Sequence, residues 1–218
     1  MPNQLVQTTM SPTVCLVVIA TTHNEVQLTP AVTDVVDELV VIINPKARFG
    51  GMGAIANRVL DRTACDVVGL IHADTTWGLG DIDRLAGVVV GGNVAGIVGC
   101  ALEPQPYTTN NNGLHHIVWG HKIPDDREID VSTLDACTIF LRHDMGVRFD
   151  TQTFDMFHCC VEDVCLTAAK NGARILVPNV KADHIGTNRA PVWGHEYARY
   201  RQKLVEKHRG TFFRTTTG

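Results

Sequence analysis

The stretch "ELVVIINPKARFGGMGAIANRVLDRTACDVVGLIHADTT", residues 38–76, carries the pattern on which the fold rests. It opens on ELVVIIN, an apolar run of strand length, and passes through the glycine-containing loop PKARFGGMG. In AIANRVLDRTA the spacing of Ile55, Val59 and Leu60 suits one face of a helix, and CDVVGLIHA is a second apolar run that ends at Asp74. Runs without polar alternation suit strands covered on both faces, as in a parallel sheet flanked by helices. Strand, loop, helix and strand in that order predict an α/β domain with a mainly parallel sheet.

The same signals continue on both sides. Upstream, TVCLVVIA at 13–20 is another buried strand, separated from 38–44 by a short segment with one brief helix over 31–37. Downstream, a short helix starts near Gly80 and a strand follows around 95–100. The segment 101–116, rich in Pro, Asn and Thr, reads as a mobile loop or tight hairpin, and its length makes 103–116 a lid candidate. HIVWG and TLDACTIFLRH read as strands, and a helix over 161–171 stops at Asn171 and Gly172. ARILVPNVKADH reads as a last strand pair, and GHEYARYRQKLVEKHRG as an amphipathic helix.

Composition sets limits on the function. The chain has 218 residues, 44% apolar and 19% charged, an ordinary globular balance that suits a single domain. A net charge of −4 argues against a surface built throughout for phosphate backbone. The tail from 189 to 214 is nonetheless basic, with Arg199, Arg201, Lys203, Lys207 and Arg209, and reads as a solvated helix face rather than a nucleic-acid surface. Seven scattered cysteines without a CxxC pair suit a reducing, cytoplasmic compartment and speak against a disulfide framework. No apolar run approaches the length of a membrane span, and residues 1–12 read as a flexible N-terminal stretch.

Candidate chemistry gathers where strands end, because open α/β sheets bind ligands beyond the carboxyl ends of their strands. Thr21 to Asn24, Asn44, and His72 with Asp74 stand at three such ends. Asp74 directly after a strand suits a hard cation, which prefers oxygen ligands; capping the next turn is an equal reading of the same residue. The acids Glu162 and Asp163 open a helical pattern, where the helix dipole alone favours negative charge.

These positions together resemble the GT-A glycosyltransferases of family 2, over roughly residues 14 to 208. The resemblance is carried by Asn57 in the helix before HAD, Asp74, GVRFDTQTF at 146–154, EDVCL at 162–166, Gly172 and His184. It implies a GT-A domain over 13–188, with the basic helix and tail 189–218 as part of the same domain. It also implies inverting transfer of a sugar from a nucleotide-diphosphate donor to an acceptor hydroxyl. Asp163 would be the general base, with Glu162 as its neighbour or substitute, and Asp74 and His184 would hold Mn²⁺ or Mg²⁺. Thr21, Asn24, Asn44, Asn57, Arg58 and His72 would line the nucleotide. His72 stands where the family has the first acid of a D-x-D pattern, and Asn44 with Lys46 where it has a base-binding Asp. The acceptor is left open between glycan, protein and a modified nucleic-acid base, as is the oligomeric state. A non-catalytic sugar-nucleotide or glycan-binding protein and a nucleotidyltransferase are the alternatives.

Overall fold

The computed structural model describes residues 11–20, 28–44, 50–111, 115–185 and 194–216. Val14–Ala20 forms β1, Pro30–Thr33 the short α1, Glu38–Ile43 β2, Met52–Leu60 α2 and Val67–His72 β3. Then come β4 (Thr75–Thr76), α3 (Asp81–Val90), β5 (Val94–Ala95), β6 (Val98–Ala101), β7 (Thr108–Asn111) and β8 (His115–Trp119). The second half holds β9 (Glu128–Asp130), β10 (Thr133–Leu134), β11 (Thr138–Arg142), α4 (Cys160–Lys170), β12 (Ile175–Pro178), β13 (Asp183–His184) and α5 (Gly194–Lys207).

A seven-stranded sheet in the order β2-β1-β3-β11-β5-β12-β9 organises the molecule. The pairs β2–β1, β1–β3 and β5–β12 are parallel, while β11 runs against both its neighbours and β9 against β12. The sheet is therefore mixed, with its parallel core in the first three strands. A four-stranded antiparallel sheet, β10-β6-β8-β7, and the pair β13-β4 complete the architecture.

All seven residues of β1 are buried, because successive side chains point to opposite faces and both faces are covered. Cys15, Val17 and Ile19 join Met52, Ile55, Val161, Val164, Tyr200 and Leu204, the layer of α2, α4 and α5. Val14, Leu16 and Val18 join Ile82, Leu85, Val89 and Phe140, the layer of α3. The basic helix α5 thus packs into the same core as the sheet.

Three expectations change. ELVVIIN is an edge strand, with Leu39 37% and Val41 42% exposed; an apolar run alone does not reveal whether both faces are covered. TLDACTIFLRH breaks at 135–137 into β10 and β11, which belong to different sheets. Segment 101–116 contributes β7, hydrogen-bonded antiparallel to β8 from Thr108↔Val118 onward, which favours the hairpin reading.

Close approach of backbone explains one glycine. Gly51 caps the start of α2, and a Cβ there would lie 2.2 Å from the Met156 carbonyl oxygen and 2.5 Å from that of Asp155. Asn57 completes the same junction: its Oδ1 accepts from the Phe149 amide at 3.0 Å and its Nδ2 donates to the Phe149 carbonyl at 2.9 Å. Helix α2 is so fastened to the loop that leads into α4.

Candidate functional site

Backbone pairing across more than a hundred residues builds the site. Antiparallel pairing of β13 with β4 sets His184 opposite Thr75, and the Ile185 amide donates to the Asp74 carbonyl at 3.0 Å. His184 Nε2 thereby stands 3.2 Å from Asp74 Oδ1, with His72 Nδ1 4.0 Å from the same oxygen. The two imidazoles meet edge to face with their centroids 5.8 Å apart. All three side chains are partly exposed at the carboxyl end of β3.

The charges in this trio are uneven. The hydrogen bond from His184 holds the Asp74 carboxyl below the ordinary carboxylate range, and the same bond raises His184 above the ordinary imidazole range. Burial lowers the affinity of His72 for a proton. Neutral imidazole and carboxylate are both cation ligands, and the ligand atoms of His72, Asp74 and His184 all lie within 4.8 Å of one another. A donor set of two nitrogens and one oxygen fits Mn²⁺ better than Mg²⁺, which demands oxygen.

A second group adjoins the first. At the turn into β11, Cys137 donates its amide to Asp135 Oδ1 at 2.9 Å, and its carbonyl accepts from the His72 amide at 2.9 Å. Asp135, Cys137 and His184 also bring their ligand atoms within 4.8 Å of one another. The sequence reading missed Asp135 and Cys137 because it ran them into one strand; the polar interruption at Asp135, two residues before Cys137, was the available signal.

The acid pair divides its roles. Asp163, 1% exposed, accepts from Lys207 Nζ at 2.9 Å and from His208 Nε2 at 2.8 Å. Lys170 Nζ lies 2.9 Å from His208 Nδ1, and since an ammonium only donates, the ring proton belongs on Nε2 and is given to Asp163. Lys207 also binds Asp150 Oδ2 at 2.9 Å. Asp163 thus fastens α4 to the end of α5 through Lys207 and His208. Glu162 differs: its side chain is buried, and among the described residues Oε2 has no hydrogen-bond partner. Burial, followed by the charges of Asp135 and Asp163, pushes its carboxyl up to about 8.

No protein-family model and no curated protein matches the chain. The reading therefore rests on the geometry.

Further site candidates fall elsewhere. Asn57 uses both amide atoms on the Phe149 backbone and so positions the α2 junction. Asn44, 1% exposed, donates to the Gly50 carbonyl at 3.0 Å. Arg58 lines a groove of about 490 Å³ between α2 and β2, along with Val40, Ile42, Ile55 and Arg62, and none of the trio lines it. Thr21 and Asn24 lie outside the described residues, as does Lys46. The basic tail is not a free cationic face, since Lys207 holds two carboxylates and Lys203 donates to the Thr153 carbonyl at 3.0 Å. Among the described residues no helix is long and apolar enough to cross a membrane.

Proposed function

We propose that the chain is an inverting glycosyltransferase of GT-A type that takes a sugar from a nucleotide-diphosphate donor. The observation that carries this reading is the meeting of Asp74 and His184, 3.2 Å apart, at the carboxyl end of a strand in the parallel part of the sheet. Ligands of open α/β sheets bind at that end. Asp74 and His184, with His72 beside them, would hold a divalent cation there, which would supply Lewis-acid stabilisation of the departing diphosphate. Of Mn²⁺ and Mg²⁺, Mn²⁺ suits this donor set better.

In the proposed step the acceptor hydroxyl oxygen bonds to the anomeric carbon as the bond from that carbon to the diphosphate oxygen breaks. The nucleoside diphosphate leaves with the electron pair, and the hydroxyl proton passes to Glu162. The base role moves to Glu162 because its Oε2 is uncommitted, whereas Asp163 is held by Lys207 and His208. With its carboxyl pushed up to about 8, Glu162 ionises, and so becomes able to accept a proton, as pH rises towards 8.

The commitment of Asp163 also favours a second reading, a sugar-nucleotide-binding protein without turnover. Nucleoside diphosphate release from a panel of donors, by wild type and Glu162→Gln, separates the two. Release lost in the variant supports transfer; donor binding with no release in either supports the binding protein.

A further inference from the structure

Cys137 has no part in the proposed transfer, yet it stands among cation ligands. It is fully buried, while Asp135 and His184 are partly exposed and open the group to ions from one side. The turn that presents it is fixed at several points. Asp135 Oδ1 accepts from the Cys137 amide at 2.9 Å, Asp135 Oδ2 accepts from Thr216 Oγ1 at 2.8 Å, and the Cys137 carbonyl is tied to β3 through the His72 amide. Preformed, pinned ligands lower the cost of ordering a metal site.

We propose that Asp135, Cys137 and His184 form a binding site for a thiophilic divalent cation of the zinc class, adjoining the Asp74 group and sharing His184 with it. Tetrahedral zinc binds thiolate at about 2.3 Å and imidazole or carboxylate at about 2.0 to 2.2 Å, which sets ligand atoms about 3.5 Å apart. Atoms already within 4.8 Å need draw together by about 1.3 Å at most. One carboxylate, one thiolate and one imidazole leave a fourth position for water or an incoming group, the pattern of an open zinc site. Thiolate is the discriminating ligand, since it selects soft and borderline ions and is a poor partner for Mg²⁺.

Glu162 supplies an independent pointer. A buried carboxyl oxygen without a hydrogen-bond partner is uncommon in a folded protein. Glu162 Oε2 is such an atom, within electrostatic reach of Asp135, where a cation would offset the mutual repulsion of the two acids. The shared His184 makes the outcome depend on the ion: hard ions favour Asp74, thiophilic ions Cys137.

Co²⁺ titration of the full chain under reducing conditions, followed by absorption, tests this without using sugar transfer as a readout. The expected result is one Co²⁺ bound with a thiolate-to-metal charge-transfer band, displaced by Zn²⁺, abolished in Cys137→Ser and retained in Asp74→Ala. Absence of the band in wild type overturns the proposal, and so does a band that survives Cys137→Ser, which would assign it to another cysteine. Should Cys137→Ser fail to fold, Asp135→Asn is the second variant: the band is kept while Co²⁺ affinity falls at least about tenfold. Unchanged affinity in that variant also overturns the proposal. Because binding alone is read, failure here leaves the transferase reading standing, and loss of that reading leaves this one.

Discussion

Replacing Glu162 by Gln keeps the shape of the side chain and removes its ionisation. In the folded protein burial pushes the carboxyl up to about 8, against 4.5 for a free glutamate. The folded state therefore holds the proton more tightly than the unfolded chain. Its stability is full below about pH 4.5, falls as pH rises towards 8, and levels off above. One pKa unit corresponds to about 1.4 kcal/mol, so the whole window is worth about 5 kcal/mol. That is a large share of the roughly 5–15 kcal/mol by which domains are stable. Glu162→Gln abolishes this penalty. Urea denaturation of both proteins across a pH series is expected to show the variant gaining on wild type by about 4 kcal/mol between roughly pH 5 and pH 9, with most of the gain before pH 8. A stability difference that does not change with pH would refute the reasoning, for it would mean the carboxyl is already solvated or paired.

Other outcomes follow from the same contacts. His208→Ala leaves the buried Asp163 carboxylate with Lys207 alone, and urea denaturation should register a loss of about 3 kcal/mol, as expected when one partner of a buried charge is removed. Gly51→Ala drives a Cβ against two backbone carbonyls and should cost about 3 kcal/mol, whereas at Gly87, on the exposed side of α3 with nothing within 4 Å, Ala should add about 0.5 to 1 kcal/mol; thermal melts of the two variants distinguish them. Because Asp74 raises the affinity of His184 for its proton, a cation must displace that proton, and Mn²⁺ affinity measured by calorimetry should increase as pH rises through the His184 titration.

The legible parts of this protein were those where local pattern and burial agree. TVCLVVIA and CDVVGLIHA announce strands covered on both faces, and both are central in the sheet. Asn171 and Gly172 marked the end of α4 to within a residue, with Gly172 at φ 93°, where a side chain would be strained. Position in the sheet was less accessible, because whether an apolar strand is central or at an edge depends on distant pairing, and so ELVVIIN was misjudged. For the site, Asp74 and His184 were picked out by the family resemblance, but the pairing of β4 with β13 that unites them involves strands too short to have a pattern. The contacts of Asp163 were hidden for a related reason: its partners Lys207 and His208 stand more than forty residues away, at the end of a helix whose charges looked solvated.

The most direct test of the central claim is nucleoside diphosphate release from a panel of UDP-, GDP- and dTDP-sugars with Mn²⁺, for wild type and Asp74→Ala. The account predicts slow, Mn²⁺-dependent release from one donor by wild type and its loss in Asp74→Ala. Release that is undiminished in Asp74→Ala or independent of the cation would contradict it.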